Sequence, residues 1–533
     1  MSVKKYPYYP VAKPTDLKDL VNFCAKEFKD KKAFWYKTRK SEVVISFEQL
    51  KKDIDALGTY LYSIGLKDTH VALIGENSYE WIVSYFAIVN GGNVVVPLDK
   101  ELNVDEVEHL LHRSDATAII HSDTYSEVAE IEGVRAINMD DFSDFYEEGR
   151  KIIDGGNTEY VDYKVDVMKT CAIVFTSGTT SEPKGVMLCH NSLIKDAISS
   201  SSNLFVPEGT VCVLPLYHTF GFMAGVACQM IRGYPVFINT SLRNVLADIK
   251  YAQPRHIAVV PMLLGVIYNK IWDAIREGGK EKLVTTMIKV SNALLKVGID
   301  VRRKLFKQIY EAFGGKLEMI ISGGSAIEER YVKGFKEIGI NVINGYGITE
   351  CSPIVATTRN EHYCPASVGS IQPGIEGRIV DGEIQIKGEV VFKGYYKDPD
   401  ATAAAFDGEW FKTGDLGAID EDNLLYITGR LKNLIILSNG KNVAPEELES
   451  KILATIKEVK EVVVYEEDDR IAAEIYADPD IENAKDLISH QILELNREWP
   501  AFKKIASVKY RDEEFPKTTT KKIKRNYSEA KND

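Results

Sequence analysis

Hydrophobic and polar positions in the first half of the chain follow two alternating spacings. Apolar residues at helical spacing predict helices over Leu17–Lys29, Phe47–Leu61 and Tyr79–Asn90. Short and nearly continuous apolar runs lie between such helices, among them HVALI from His70 and VVVP from Val94. Runs of this kind are typical of parallel strands that are buried on both faces. The pattern therefore predicts an α/β fold with mostly parallel sheets covered by helices.

The pattern changes along the second half of the chain. From Val368 it predicts a β-rich region with frequent glycines. Further on it predicts helices over Pro445–Ile456 and Asn483–Trp499 that alternate with strands, which is typical of a compact α+β unit. The acidic, glycine-containing segment Ile131–Tyr163 predicts a long loop. Because 533 residues exceed the roughly 250–300 that one hydrophobic core spans, we expect at least two domains.

Composition and charge narrow the class of protein. The net charge of -12 argues against a nucleic-acid partner, which would need a basic surface. The seven cysteines are odd in number and contain no C-x-x-C pair, which predicts reduced thiols and no disulfide or zinc framework. The N-terminal residues lack an apolar signal core, and the longest apolar run, Ile257–Tyr268, is shorter than the roughly 20 residues of a membrane span. We expect a cytoplasmic protein.

The segment Cys171–His190 carries the strongest chemical signal, because it is an apolar strand that runs into a loop of hydroxyls, glycines and a lysine. The residues of this phosphate loop are Thr176, Ser177, Gly178, Thr179, Thr180, Ser181, Lys184 and Gly185. Hydroxyl donors, close backbone N–H groups and a positive charge together predict binding of polyphosphate. An ordinary Ser/Thr/Gly turn is the alternative. It is not a P-loop, because Pro183 and Gly185 stand where the second glycine and the Mg²⁺-binding hydroxyl belong.

Further polar residues follow predicted strands later in the chain. The segments MIISGG and NVINGYGITE each predict a strand that enters a glycine turn. In the second, Tyr346 can stack on a base, the Thr349 hydroxyl can reach an α-phosphate and Glu350 can hold Mg²⁺. The turn lacks the third glycine of a dinucleotide fingerprint. His218 follows the predicted strand VCVLPLY, a position where a lone histidine is more often structural than catalytic.

Together these motifs resemble those of the adenylate-forming superfamily, which comprises acyl-CoA synthetases, adenylation domains of peptide synthetases and luciferases. The phosphate loop is similar to T-S-G-T-T-G-x-P-K-G, with Ser181 in place of the middle glycine. YGITE is similar to Y-G-x-T-E, and PKTTTKKIKR is similar to P-K-T-x-x-G-K-I-x-R, with Lys521 in place of the glycine. The resemblance covers essentially the whole chain, and region 209–310 looks like bacterial long-chain fatty-acid CoA ligases.

The resemblance implies roles for individual residues. Binding of ATP and CoA is implied for Thr176, Ser177, Gly178, Thr179, Thr180, Lys184, Gly323, Gly324, Tyr346, Gly347, Asp415, Arg430, Lys432 and Gly440. Catalytic roles are implied for His218, Thr349, Glu350 and Lys522, with Glu350 as the Mg²⁺ ligand and Lys522 as the adenylation lysine. An N-terminal AMP-binding domain over 1–431 and a small mobile α+β lid over 432–533 are also implied, with Lys432 at the hinge.

The implied reaction is ATP-dependent activation of a fatty acid, of long-chain type, to acyl-AMP, followed by transfer of the acyl group to CoA. ATP, Mg²⁺ and CoA are the implied cofactors. An acyl carrier protein is an alternative acceptor, and a medium-chain or aryl acid is an alternative donor. A luciferase-like oxygenase and a non-catalytic lipid-binding protein are further alternatives, and the intact motifs argue against the latter.

A basic stretch at 280–307, which is predicted to be one long helix, stands out in this acidic protein. It carries eight Lys and Arg residues against two acidic ones. Such a stretch is most often a solvated helix face. Our alternative hypothesis is that it contacts an anionic membrane, which would place the protein peripherally at the inner membrane face.

Overall fold

The computed structural model describes residues 7–176, 182–239, 241–517 and 523–525. It confirms an α/β fold with a β-rich region towards the C-terminus. The helices in these ranges are α1 (Leu17–Glu27), α2 (Phe47–Ser63), α3 (Tyr79–Asn90), α4 (Val104–Ser114), α5 (Phe142–Asp154), α6 (His190–Asn203), α7 (Thr219–Phe222), α8 (Cys228–Arg232), α9 (Val245–Ala252), α10 (Pro261–Glu277), α11 (Glu281–Leu295), α12 (Arg302–Leu305), α13 (Lys307–Ala312), α14 (Glu329–Glu337), α15 (Pro399–Ala404), α16 (Pro445–Thr455) and α17 (Ala484–Glu498).

The strands of the same ranges form several separate sheets. They are β1 (Lys32–Lys37), β2 (Glu42–Ser46), β3 (His70–Ile74), β4 (Val94–Pro97), β5 (Ala116–His121), β6 (Arg135–Asn138), β7 (Thr170–Thr176), β8 (Lys184–Cys189), β9 (Thr210–Cys212), β10 (Val236–Ile238), β11 (His256–Val259), β12 (Met319–Ser322), β13 (Asn341–Gly347), β14 (Ile354–Thr357), β15 (Ser370–Ile371), β16 (Ile375–Val380), β17 (Glu383–Gly388), β18 (Phe406–Asp407), β19 (Trp410–Ile419), β20 (Leu425–Arg430), β21 (Ile435–Ile436), β22 (Asn442–Val443), β23 (Val459–Glu467), β24 (Arg470–Ala477) and β25 (Ile505–Arg511). Two of the sheets are large and mostly parallel.

The first large sheet has the strand order β6-β5-β3-β4-β7-β8. Its strands run parallel except for β8, which returns antiparallel beside β7 and pairs Thr176 with Lys184. The phosphate loop therefore leaves and re-enters the sheet at the edge where the carboxyl end of β7 lies. Ligand sites of open α/β sheets are found outside such carboxyl ends.

The second large sheet has the order β15-β14-β13-β12-β11-β9-β10-β1-β2. Its central strands, from β13 to β1, are parallel. At the edges, β2 is antiparallel to β1, β14 is antiparallel to β13, and β15 is antiparallel to β14. Helix α3 lies in the main core and is buried around its circumference, as its almost wholly apolar sequence requires. It packs on β3 and β4, and its Tyr85 ring stacks on Phe222 of α7 with 4.0 Å between the ring centroids. The hydrophobic core thus connects the first large sheet with the helices that cover the second large sheet.

The C-terminal region builds smaller sheets. Strands β16 to β20 form one antiparallel sheet. Strands β23, β24 and β25 form a mixed sheet, in which β24 is antiparallel to β23 and parallel to β25, and α16 and α17 cover it. The residues from Ile435 to Ile505 contribute a hydrophobic cluster of their own. A separate core is what an independent α+β unit needs. The boundary between residues 431 and 432 stays a prediction.

Two secondary-structure predictions are wrong. The predicted loop Ile131–Tyr163 contains β6 and the helix α5, whose apolar residues at helical spacing pack on α2. Gly149 of α5 allows that contact, since a Cβ there would lie 2.0 Å from the Ala56 carbonyl oxygen. The basic stretch is not one long helix, because α11 ends at Leu295 and Gly298 follows with a φ of +80°. Within the described ranges, no helix is long and apolar enough to cross a bilayer.

Candidate active site

Two glycine turns meet at one edge of the second large sheet. Gly323 and Gly324 follow β12, while Tyr346 and Gly347 end β13, and these two strands are parallel neighbours. Gly324 has a φ of +90°, which favours glycine. At Gly347 a Cβ would lie 2.0 Å from the Pro353 carbonyl oxygen, so a side chain is excluded there. The two turns present close-packed backbone at the carboxyl ends of their strands.

A buried carboxylate lies beside this edge. Asp415 of β19 is only 2% exposed. It accepts a hydrogen bond from Tyr346 Oη at 2.7 Å, and Arg430 Nε of the neighbouring β20 lies 2.8 Å from its other oxygen. Burial, followed by the charge of Asp415, raises the pKa of Tyr346 well above its usual range, so the phenol stays a donor. Asp415 is therefore held rigidly as an acceptor, which suits recognition of ligand hydroxyl groups.

A second carboxylate, Glu350, lies in the turn that follows β13. Desolvation raises its pKa, and the nearby charge of Arg430 only partly opposes this. Tyr395 Oη donates to Glu350 Oε1 at 2.9 Å. The Nζ atom of Lys184 lies 4.8 Å from the centroid of the Tyr395 ring. The base of the phosphate loop and Glu350 are thus joined through Tyr395.

The oxygen ligands that this site offers indicate whether a divalent cation fits it. A desolvated carboxylate with a raised pKa gains from a cation that stabilises its charged form. Within the described ranges, no three or more His, Cys, Asp or Glu side chains are grouped as a metal site. Mg²⁺ commonly takes one or two carboxylates together with substrate phosphates. Glu350 beside Thr349 fits that mode of binding.

The phosphate loop is anchored at both of its ends. Thr176 ends β7, and its Oγ1 donates to the backbone oxygen of Lys184 at 3.4 Å. Ser177, Gly178, Thr179 and Thr180 lie outside the described residues, as do Ser181, Lys521 and Lys522. The structure therefore connects Lys184, at the second end of the loop, to Glu350 through Tyr395, and the roles of the central loop residues stay predictions.

Lys432, His218 and Gly440 are the remaining predicted residues. Their positions differ relative to the carboxylate cluster, which comprises Asp415 and Glu350 with their partners Tyr346, Arg430 and Tyr395. Desolvation and then the charge of Arg430 lower the pKa of Lys432, which places this lysine beside the Asp415 and Arg430 pair. His218 precedes α7, and its ring centroid lies 4.5 Å from that of Tyr217. Gly440 lies in the β21–β22 hairpin with a φ of +75°, and its N–H donates to Leu437 O at 2.8 Å. Gly440 thus belongs to the C-terminal unit and not to the cluster at the sheet edge.

A cavity opens beside the glycine turns and runs between the second large sheet and helices α6 to α8. Gly323, Gly324, Tyr346 and Gly347 contribute to its wall. Its apolar lining includes Leu204, Val206, Phe220, Ala224, Ile321 and Ile354. The lining suits an apolar group. The turns lie between this cavity and the carboxylate cluster.

Two features of the site were not found by sequence analysis. Tyr395 lies in the segment VVFKGYY, which was interpreted only as part of the β-rich region. Its partner Glu350 is 45 positions away, so local pattern gives no signal for the contact. Gln229 and Arg232 of the cavity wall lie in α8, whose sequence looks like an ordinary core helix.

The fold is that of adenylate-forming enzymes, and comparison with known proteins shows the family. The chain belongs to the AMP-binding enzyme family, whose model matches residues 22–396. This confirms the resemblance drawn from the motifs and the prediction of an enzyme of the AMP-forming acyl-CoA synthetase type.

Curated relatives match most of the chain. A long-chain-fatty-acid–CoA ligase, FadD15, of Mycobacterium bovis is 28% identical over 468 residues, which cover 82% of this chain and 78% of the relative. Long-chain-fatty-acid–CoA ligase 5 of Rattus norvegicus is 28% identical over 76% of this chain and 67% of its own length. A chloroplastic long-chain-fatty-acid–[acyl-carrier-protein] ligase of Arabidopsis thaliana, AEE15, is 26% identical over 80% and 71%.

Solved structures share the fold over nearly the whole chain. The anthranilate CoA ligase AuaEII in complex with anthranoyl-AMP has a TM-score of 0.78 and 20% identity, covering 99% of this chain and 98% of its own. The o-succinylbenzoate CoA synthetase of Bacillus subtilis in complex with ATP and magnesium ion has a TM-score of 0.74 and 22% identity, covering 95% and 98%. At these identities the likeness establishes the fold alone.

Proposed function

We propose that the enzyme activates a fatty acid of long-chain type with ATP and transfers the acyl group to CoA. In the first step a carboxylate oxygen attacks the α-phosphorus of ATP, and the bond to pyrophosphate breaks. In the second step the thiol sulfur attacks the acyl carbon, the bond to AMP breaks, and the thiol proton is released. The observation that carries this proposal is the apolar lining of the cavity that opens at Gly323, Gly324 and Gly347.

The carboxylate cluster supplies the nucleotide side of the reaction. In this proposal Tyr346 stacks on the base, Asp415 accepts the ribose hydroxyls and Arg430 approaches the phosphates. Glu350 would hold Mg²⁺ and the Thr349 hydroxyl would contact the phosphates. Bound Mg²⁺ would neutralise the charge that develops on the phosphates. Tyr395 keeps the Glu350 carboxylate in one orientation through its 2.9 Å hydrogen bond.

The remaining residues act in the steps that involve the phosphate loop and the C-terminal unit. Thr176 and Lys184 hold the ends of the loop that binds the departing phosphates. We propose that residues 432–533 form a mobile domain that brings Lys522 to the α-phosphate for adenylation and then rotates about Lys432. Gly440 would then lie beside the pantetheine arm of CoA, where the absence of a side chain allows close approach. His218 would lie near the substrate carboxylate.

The experiment that tests the proposal is AMP release by the purified chain with ATP, Mg²⁺, CoA and a panel of fatty and aryl acids. We expect CoA-dependent turnover that is highest with long chains, because each buried CH₂ contributes about 0.8 kcal/mol. The relative from Arabidopsis named for an acyl carrier protein supports a second candidate acceptor. Pyrophosphate exchange without turnover on CoA would favour that acceptor, and absence of exchange with every acid would overturn adenylation altogether.

We also propose that the surface around 280–307 contacts anionic lipid when the enzyme collects its substrate. The specific observation is a row of exposed apolar side chains on α11 and the turn after it, with Leu283 58%, Val290 50%, Val297 71% and Ile299 51% exposed. Exposed Lys282, Lys289 and Lys296 lie beside these residues in the sequence. Apolar residues among lysines are typical of interfacial membrane contact.

Not every basic residue of this stretch is available to lipid. Arg302 pairs with Asp300 at 2.6 Å, and Lys307 pairs with Glu311 at 3.5 Å. The charge that would face a membrane therefore comes mainly from Lys282 and Lys289 of α11 and from Lys296, which follows the helix. Co-sedimentation with anionic vesicles at low and moderate salt tests the proposal, with neutral vesicles as the control. Absence of binding to anionic vesicles at low salt would contradict it.

A further inference from the structure

His218 lies at the end of a segment that leaves the second large sheet and reaches the first. Strand β9 of the second sheet ends at Cys212, and residues 213–218 lead from it to the start of α7. Leu214, Leu216 and Tyr217 of this segment are buried. Because these residues lie between a strand and a helix, their backbone groups need partners outside regular secondary structure.

Asn77, which follows β3 of the first large sheet, supplies two of these partners. Its Nδ2 donates to Leu214 O at 2.8 Å, and its Oδ1 accepts from the Leu216 N–H at 3.0 Å. The two backbone groups flank Pro215, which has no N–H of its own. Both ends of one side-chain amide are therefore committed to the backbone that leads to the histidine.

Asp99 holds the same segment at a second point. It follows β4, which is the parallel neighbour of β3 in the first large sheet. Burial, and then the charge of Asp99 and a hydrogen bond to it, raise the pKa of Tyr217 above its usual range, so the phenol donates to the carboxylate. The centroids of the Tyr217 and His218 rings lie 4.5 Å apart. The second contact is thus made by the residue directly before the histidine.

The opposite side of the segment is closed by α7. At Gly221 a Cβ would lie 2.0 Å from Pro215 O, so the helix and the segment are in close backbone contact. The Phe222 N–H donates to His218 O at 3.0 Å. The path of the segment is therefore fixed from two sides. The hydrogen bonds of Asn77 are the part of this arrangement that a substitution can remove without changing the segment itself.

We propose that Asn77, together with Asp99 acting through Tyr217, positions His218 beside the carboxylate of the acyl substrate. The inference rests on the proposed function, since it adds positioning residues to the same reaction. Asn77 and Asp99 follow strands of the first large sheet, as does the phosphate loop, whereas His218 follows a strand of the second. The contacts thus set the place of the histidine relative to the sheet that carries the loop. A misplacement of about 1 Å in an active site can cost about 100-fold in rate.

The test measures AMP release by Asn77→Ala with the fatty acid and ATP varied in turn. We expect kcat/KM for the fatty acid to fall about 10- to 100-fold and KM for ATP to stay nearly unchanged, because Asp415 and Glu350 are untouched. Tyr217→Phe removes the hydrogen bond to Asp99 and keeps the ring, so it should cause a smaller loss of the same kind.

A double-mutant cycle with His218→Ala distinguishes positioning of the histidine from a general loss of folding. If Asn77 acts through His218, Asn77→Ala should have little further effect on kcat/KM for the acid once the histidine is absent. The same cycle with Tyr217→Phe gives an independent answer, and it decides the matter if Asn77→Ala does not fold.

Asn93→Ala is the matched control, because Asn93 makes the same pair of hydrogen bonds near the amino end of β3. Its Oδ1 accepts from the Thr69 N–H and its Nδ2 donates to Leu66 O, both at 3.0 Å. It should keep kcat/KM for the acid near that of the unaltered enzyme. Equal losses in Asn77→Ala and Asn93→Ala, or losses that multiply in the cycles with His218→Ala, would overturn the positioning role and leave the proposed function intact. Absence of AMP release with every acid in the unaltered enzyme would overturn both.

Discussion

Replacing Tyr395 with phenylalanine should weaken adenylation without removing the Glu350 carboxylate. The substitution deletes the Oη that donates to Glu350 Oε1 at 2.9 Å and keeps the ring on which Lys184 lies. A hydrogen bond to a charged group contributes about 1.5–3 kcal/mol, and each 1.36 kcal/mol corresponds to about tenfold in rate. We therefore expect kcat/KM for ATP in pyrophosphate exchange to fall about 10- to 150-fold.

The same substitution should move the pH dependence in a defined direction. Desolvation raises the pKa of Glu350, whereas the hydrogen bond from Tyr395 lowers it. Losing that bond raises the pKa further. Because the ionised form is needed to hold Mg²⁺, activity is lost as pH falls through this pKa, and the acid limb of the exchange profile should shift to higher pH in Tyr395→Phe.

Tyr396→Phe is the matched control for this experiment. Its hydroxyl donates to exposed Asp115 Oδ2 at 2.5 Å and not to Glu350. We expect it to retain exchange activity and the pH profile of the unaltered enzyme. Equal effects of the two substitutions, or an unshifted acid limb in Tyr395→Phe, would refute the argument that Tyr395 positions a catalytic carboxylate.

The other predictions concern different parts of the proposal. Asp415→Asn should raise KM for ATP at least tenfold, because it removes the charge that pairs with Arg430 at 2.8 Å; an unchanged KM in initial-rate assays would argue against a ribose-binding role. Lys522→Ala should abolish acyl-AMP formation and spare thioester formation from supplied acyl-AMP, whereas Lys521→Ala should do little, and the reverse result would show that the tail is misaligned. Val297→Ser with Ile299→Ser should lower binding to anionic vesicles several-fold in co-sedimentation at low salt, and unchanged binding would exclude this surface.

The elements that were predicted well are those whose burial is uniform along the sequence. Helix α3 was predicted with its observed bounds, Tyr79–Asn90, because Ser78 caps its first turn and Gly91 ends it. Helix α5 was not predicted because its acidic residues obscured the helical spacing of its apolar residues. These apolar residues pack on α2. The basic stretch was predicted as continuous because a break at Gly298 depends on local backbone geometry, which residue spacing does not reveal.

The candidate site was predictable only where its chemistry is local in sequence. Thr349 and Glu350 could be assigned because they follow a strand and a glycine turn directly. The pairing of Tyr395 with Glu350 depends on how separate sheets pack, and sequence spacing carries no information about it.

We propose that this chain adenylates a fatty acid where the cavity meets the carboxylate cluster. ATP–pyrophosphate exchange by the purified chain with long-chain fatty acid tests this, compared between the unaltered enzyme and Glu350→Gln, with Glu376→Gln at an exposed position of β16 as the control. We expect acid-dependent exchange that Glu350→Gln abolishes and Glu376→Gln retains. Exchange that survives in Glu350→Gln, or none with any fatty acid in the unaltered enzyme, would contradict it.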